Sequence, residues 1–188
     1  AGNVALNCKS LGSNVEIVSV IGDDIEGQSL IKKLTTKKIK CFIEKNNKFK
    51  TVKKTRLISN SQQILRIDEE KVPPQSTKKM IATFRKRIKY SDIIIFSDYD
   101  KGVLKDLPLL IEETKKLNKK CLVDPKGSDP YKFKGAYLLT PNLKEMDKLI
   151  GYYNNQKDFK IKVFNMMKEY NIENIVLTQG KEGITLFQ

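Results

Sequence analysis

Six short apolar runs, separated by stretches of helical period, constrain this chain more than anything else in it. Val15–Ile21, Ile93–Phe96, Cys121–Val123, Tyr137–Leu139, Ile175–Leu177 and Ile184–Phe187 have the length and composition of buried strands. Between them apolar residues recur three or four apart. Met80, Ile81, Phe84 and Ile88 form one stripe, Leu104, Leu107, Ile111 and Leu117 a second, and Phe159, Val163, Phe164 and Met167 a third. Asp106 ahead of Pro108, and Asp158, have the chemistry of helix starts. Continuous apolar strands alternating with helices predict an α/β fold whose mostly parallel sheet is covered on both faces. With 188 residues, a single domain with a real core is expected over 1–188.

One region breaks the rhythm. From about residue 40 to 70 helical period is weak, and Thr51–Ile58 and Gln63–Asp68 read as strands joined at Ser59-Asn60-Ser61. In the second of these, Ile64, Arg66 and Asp68 alternate with Leu65 and Ile67, and Pro73-Pro74 ends the region. A β arm of this kind serves as a lid over a pocket, as a dimer contact, or only as a peripheral hairpin.

The formal net charge of +14 raises the question of nucleic acid. The residue types answer against it. Of 36 basic residues only Arg56, Arg66, Arg85 and Arg87 are arginine, the side chain whose planar fork grips phosphates and reads bases. The lysines are scattered in pairs such as Lys32-Lys33 and Lys78-Lys79, without interleaved aromatics, as on a solvated surface. Cys8, Cys41 and Cys121 are far apart, so neither a metal cluster nor a disulfide framework is expected, and a cytoplasmic setting is. The chain has no histidine, which excludes Ser-His and Cys-His nucleophiles within these residues. No apolar run reaches the roughly 20 residues that span a bilayer, so no membrane partner is expected.

In open parallel sheets ligands bind beyond the carboxyl ends of the strands. Here those ends are consistently polar: Ser97-Asp98-Tyr99-Asp100-Lys101-Gly102, Asp124-Pro125-Lys126-Gly127, Thr140-Pro141-Asn142-Leu143-Lys144-Glu145, and Thr178-Gln179-Gly180 with Gly183 beyond. Together they suggest a pocket for a charged ligand. Asn142 and Glu145 have the spacing of a capping box, and a capped helix N-terminus facing a pocket also suits a phosphate and its metal. Lys101 and Lys126 read equally as surface charge, Arg66 and Asp68 as a cross-strand ion pair, and Gly180 and Gly183 as turn glycines.

These segments resemble a known family. Gly2-Asn3-Val4-Ala5-Leu6-Asn7 with Leu11-Gly12, then Val20-Ile21-Gly22-Asp23-Asp24 with Gly27, resemble the opening signatures of ribokinase-like sugar kinases. Thr140-Pro141-Asn142-x-x-Glu145 and Thr178-x-Gly180-x-x-Gly183 resemble that family's nucleotide-side motifs. The arm segment Thr55-Arg56-Leu57-Ile58-Ser59-Asn60-Ser61-Gln62-Gln63-Ile64-Leu65-Arg66-Ile67-Asp68 is similar to the kinase domain of bacterial D-glycero-β-D-manno-heptose-7-phosphate kinases, as are Ser97–Gly102 and Val123–Gly127. That kinase domain is often half of a bifunctional ADP-heptose synthesis enzyme.

The resemblance implies a ribokinase-like fold with a small β lid, and ATP-dependent phosphorylation of heptose 7-phosphate at C1 on the route to the lipopolysaccharide inner core. It places Asn142, Leu143, Lys144 and Glu145 at the phosphates of ATP, with Glu145 holding Mg2+ through water, and Thr178 and Gly180 beside the nucleotide. It places Asn3, Gln63, Arg66, Asp98, Lys101 and Lys126 around the sugar phosphate, and makes the arm a homodimer contact. The family's catalytic aspartate, in a Gly-Ala-Gly-Asp motif, is expected beyond Gln188, and its first strand before Ala1. The 188 residues therefore read as an incomplete kinase domain that does not turn over alone and carries no catalytic base of its own. Competing readings are a kinase for another sugar or sugar phosphate, a basic binding module and a decayed gene product.

Overall fold

Each of the six apolar runs becomes a strand in the computed structural model, which describes residues 1–60, 62–69 and 72–188. The chain divides into two units, Ala1–Phe84 with Lys101–Val103, and Arg85–Asp100 with Leu104–Gln188.

The first unit opens with helix α1 (Gly2–Ser10), strand β1 (Glu16–Gly22), helix α2 (Ile25–Thr36) and strand β2 (Lys40–Asn46). β1 and β2 pair in parallel from Glu16 opposite Lys40 to Gly22 opposite Asn46, with α2 as the crossover. The sequence places residues 40–46 at the start of the arm; they are instead a sheet strand, because Cys41 and Ile43 pack with Ala5, Leu34 and Ile39 in this unit's core.

The arm proper is the antiparallel hairpin of β3 (Lys53–Ser59) and β4 (Gln62–Glu69). Asn60 turns it with a left-handed φ of +48°, which Asn tolerates better than most residues; Ser61 and Glu70 lie outside the described residues. Register slips by one residue between Leu57 opposite Leu65 and Ile58 opposite Gln63, leaving Ile64 as a β-bulge. Pairing puts Thr55, Leu57, Leu65 and Ile67 on one face, and Lys54, Arg56, Arg66 and Asp68 on the other. Every residue of β4 is exposed.

The hairpin is rooted by Asp24, the residue before α2. Its carboxylate accepts the Gly27 N–H at 2.9 Å, capping the helix, and the Thr51 N–H at 2.8 Å, fixing the segment that leads into β3. The Gly22 N–H donates to the Thr51 hydroxyl at 3.1 Å. A Cβ on Gly22 would lie 2.7 Å from the Thr51 nitrogen, and one on Gly27 would lie 2.6 Å from the Gly22 carbonyl. The Gly22-Asp23-Asp24-x-x-Gly27 segment is thus a backbone crossing that admits no side chain at either glycine.

The second unit is a five-stranded sheet in the order β5 (Ile93–Ser97), β6 (Lys120–Asp124), β7 (Leu138–Leu139), β8 (Asn174–Thr178), β9 (Ile184–Phe187). The first four run parallel and β9 antiparallel to β8. Helices α4 (Leu107–Lys116), α5 (Leu143–Ile150) and α6 (Gln156–Tyr170) belong to this unit, while α3 (Lys78–Arg87) crosses the boundary between units. Val123, Leu139, Ile175, Ile111, Met146 and Val163 are fully buried. Removing a buried leucine such as Leu139 would cost about 2–5 kcal/mol.

The expected cover on both faces fails at β5, where Ile94 and Phe96 are buried but Ile93 and Ile95 are 56% and 42% exposed. The helical stripes hold apart from two members, Leu117 and Phe164, which are exposed. Asp158 does not start α6. Asn155 caps it, accepting the Asp158 N–H at 3.0 Å, and Asp158 reaches back to the Asn154 N–H at 2.9 Å.

Candidate active site

The polar strand ends of the second unit converge, and the most organised of them is the N-terminus of α5. Asn142 lies beside Thr178 as a parallel extension of β7 and β8, and the Thr178 N–H donates to the Pro141 carbonyl at 2.9 Å. The capping box is complete: Asn142 Oδ1 accepts the Glu145 N–H and Glu145 Oε2 accepts the Asn142 N–H, both at 3.0 Å. The amides of Leu143 and Lys144, the first two of the helix, have no intrahelical acceptor, as is the case for amides that bind anions. Met146 and Leu149 bury the opposite side of the helix. Gly180 (φ +60°) and Gly183 (φ +88°) shape the turn after β8, closed by the Gln179 N–H on the Gly183 carbonyl at 2.9 Å.

Glu145 also meets Lys126, whose Nζ lies 3.1 Å from Oε1. At the end of β6, burial and then the negative charge of Glu145 push the Asp124 carboxyl above the usual carboxylate range, and Lys126 offsets part of that. Among the described residues no three His, Cys, Asp or Glu side chains could together hold a metal ion. One capping carboxylate at a helix N-terminus nonetheless suits a magnesium ion kept largely by waters and nucleotide phosphates, the usual way magnesium is bound. An all-protein cage does not fit here.

Asp98, at the end of β5, is 5% exposed. Lys132 Nζ lies 2.6 Å from its Oδ2 and 3.5 Å from Asp100 Oδ1, while the Asp100 N–H donates to Asp98 Oδ1 at 2.9 Å. The Asp98 carboxylate, expected on the substrate side, is engaged by a lysine and a backbone amide that hold its loop. Lys132 was missed because it sits in a one-turn 3-10 helix, Pro130–Phe133, far along the chain from Asp98. No local pattern announces such a partner.

The remaining expected residues belong to the first unit. Asn3 is exposed on α1, and Gln63 and Arg66 are exposed on β4. Arg66 Nε lies 3.0 Å from Asp68 Oδ1 on its own strand, and the cross-strand partner of Asp68 is Lys54, at 3.6 Å. The ion pair expected across the hairpin thus runs along the strand, because the register sets Arg66 opposite Arg56. Lys101 is half-buried in a loop clamped by the Gln75 amide on its carbonyl at 3.3 Å and the Ser76 N–H on the Gly102 carbonyl at 3.1 Å. Asn142, Leu143, Lys144, Glu145, Lys126 and Thr178 are therefore gathered in one unit, while Asn3, Gln63, Arg66 and Lys101 lie in the other.

The family model for the pfkB family carbohydrate kinases matches residues 1–188. The chain is 36% identical to the bifunctional protein HldE of Coxiella burnetii, covering 100% of this chain and 40% of that protein. The corresponding proteins of Haemophilus influenzae and Aeromonas hydrophila are 34% and 32% identical over the same shares. The chain thus spans 40% of the length of these curated relatives. Among solved structures, ribokinase from Giardia lamblia superposes with a TM-score of 0.82 at 14% identity, covering 99% of this chain and 64% of that one. Phosphofructokinase-2 from Escherichia coli in complex with fructose-6-phosphate superposes at 0.77 and 17% identity, covering 99% and 63%. No helix among the described residues is long and apolar enough to cross a membrane.

Proposed function

The chain belongs to the pfkB family of carbohydrate kinases, and from that premise we propose that it is the ATP-dependent kinase part of a protein phosphorylating D-glycero-D-manno-heptose 7-phosphate at C1. The product is the 1,7-bisphosphate, on a cytoplasmic route to ADP-heptose and the lipopolysaccharide inner core. The observation that carries the substrate is the Gln62-Gln63-x-x-Arg66-x-Asp68 arm, found in a chain whose similarity to bifunctional HldE proteins runs from end to end.

Phosphoryl transfer asks little covalent chemistry of a protein and much positioning and charge compensation. A base takes the proton of the sugar C1 hydroxyl as its oxygen attacks the γ-phosphorus in line and the bond from that phosphorus to ADP breaks. The residues here serve that step by orientation. The amides of Leu143 and Lys144 receive phosphate oxygens, Lys144 adds positive charge, and Thr178 and Gly180 border the nucleotide. Glu145 would hold a magnesium ion through water, and the ion would neutralise phosphate charge. Asn3, Gln63, Arg66, Asp98, Lys101 and Lys126 are assigned to the side of the sugar phosphate, Asp98 by bracing its loop. Asp98 is not the base that takes the hydroxyl proton, since Lys132 and the Asp100 amide already occupy its carboxylate.

The partner of the arm is a second copy of this chain. Leu57, Leu65 and Ile67 share a face and are 48%, 50% and 45% exposed, an apolar patch left uncovered among the described residues. No nucleic-acid or membrane partner is part of this reading.

The test is ADP release by the full-length gene product with Mg-ATP and a panel of heptose 7-phosphate, ribose, fructose 1-phosphate and fructose 6-phosphate. Strong preference for heptose 7-phosphate is expected. Preference for another sugar would overturn the substrate while leaving the kinase, and turnover on none would overturn the reading itself.

A further inference from the structure

Lys126 and Glu145 join two parts of the site that the functional reading gives to different ligands. Lys126 comes from the loop after β6, on the sugar-phosphate side, and Glu145 from the first turn of α5, on the nucleotide side. The two ends of the pair are not held alike. Glu145 is pinned in both directions, its carboxylate on the Asn142 amide and its own amide on the Asn142 side chain, each at 3.0 Å. Its side chain is 15% exposed. Lys126 reaches Oε1 at 3.1 Å with a side chain 51% exposed, on a flexible four-carbon stem. One partner is fixed and the other is free to swing.

An ammonium and a hydrated magnesium ion are both compact cations that seek carboxylate oxygen, and they repel each other at the same oxygen. Asp124 adds negative charge close by, its carboxyl raised by burial and then by the Glu145 charge. The cluster of Asp124, Glu145 and Lys126 therefore accommodates either the lysine or a metal at Oε1. Lys132 offers no substitute, being engaged with Asp98 and Asp100.

We infer that Lys126 is a tethered counter-ion that holds Glu145 while the metal–nucleotide complex is absent and is released to the phosphorylated sugar when that complex arrives, so that this one ion pair couples the binding of the two substrates. The inference rests on the functional reading above. By linkage the coupling is reciprocal: the sugar phosphate draws Lys126 away and tightens the metal–nucleotide complex by the same factor.

The test is calorimetric titration of the full-length gene product with heptose 7-phosphate, alone and with a non-hydrolysable ATP analogue, in the presence and absence of Mg2+. In the wild type the Mg-bound analogue should tighten sugar-phosphate binding by about tenfold, and the metal-free analogue should not. Glu145→Gln keeps the capping geometry, because a Gln side chain still accepts the Asn142 N–H, but frees Lys126. This variant should bind heptose 7-phosphate in its tighter form without nucleotide and show no coupling. Lys126→Met should bind it weakly throughout, again without coupling. Equal coupling in the wild type and both variants, or none in the wild type, would overturn the inference and leave the functional reading intact. Failure of the wild type to bind either ligand would overturn both.

Discussion

Replacing Asp24 with alanine tests whether a motif shared with sugar kinases is here a structural clamp. Asp24 accepts two backbone N–H groups from segments far apart in sequence, Gly27 at 2.9 Å and Thr51 at 2.8 Å. Losing a helix N-cap costs about 1 kcal/mol. Losing a second hydrogen bond to a charged acceptor costs about 1.5–3 kcal/mol. Asp24→Ala should therefore destabilise the protein by about 3 kcal/mol. Asp24→Asn, which keeps one acceptor oxygen and loses the charge, should cost roughly half of that. With a urea m-value near 2 kcal/mol/M, the alanine variant's midpoint should fall by about 1.5 M.

The pH dependence gives an independent check. Burial works to raise the Asp24 carboxyl, but the hydrogen bonds from the Thr51 amide and hydroxyl and the Gly27 amide, with the Lys50 charge, outweigh it and hold the group below the usual range. A depressed folded value means the stabilisation is complete above the unfolded value of about 4 and fades as pH falls through the folded one. The gap between wild type and Asp24→Asn should accordingly be constant from pH 5 to 7 and narrow below about pH 4. Urea unfolding of both, repeated across that range, measures it. Two variants within about 0.5 kcal/mol of wild type at pH 7 would refute the clamp, leaving Asp24 an ordinary solvated carboxylate.

Gly102→Ala should destabilise by about 1–3 kcal/mol, because Gly102 sits at φ +97° with the Gln75 side chain where a Cβ would go; a thermal melt with a Gln75→Ala background shows whether the clash contributes. Lys132→Met should cost about 3–5 kcal/mol by stranding the buried Asp98 charge, and adding Asp98→Asn should restore part of it in urea unfolding. Asp124→Asn should raise stability at pH 7, since the raised folded carboxyl value makes the ionised form unfavourable, and the two proteins should converge as pH falls through that value. Leu65→Lys with Ile67→Lys should shift sedimentation velocity toward the monomer, leaving the circular dichroism of the sheet unchanged.

What the sequence announced were features that depend on near neighbours. The strands were legible because burial writes continuous apolar runs, as at Cys121–Val123 and Ile175–Leu177. The Asn142–Glu145 box was legible because both members lie in one turn of helix. What it withheld were partners fixed only by the fold. Residues 40–46 looked like arm because Lys40, Lys45 and Glu44 interrupt the apolar run, and only the parallel pairing with β1 makes them a sheet strand. Lys132 on Asp98 and Thr51 on Asp24 are likewise separated by tens of residues from their partners, and Lys-rich composition hides Lys132 among many other lysines.

The arm shows the two kinds of information meeting. Alternation in β4 is the signature of a strand with one covered face, yet in this structure all of β4 is exposed. Between Lys53–Leu57 and Leu65–Glu69 the apolar residues lie on one side, opposite a face of Lys54, Arg56, Arg66 and Asp68. A two-stranded ribbon with nothing packed on it is marginal in water, so a pattern of this kind is retained only where something lies against it. On the proposed reading, a charged face carrying Arg66 would serve the phosphorylated substrate, and an apolar face carrying Leu57, Leu65 and Ile67 would serve a second protomer. Binding and assembly would then be joined through one hairpin, with its root fixed at Asp24.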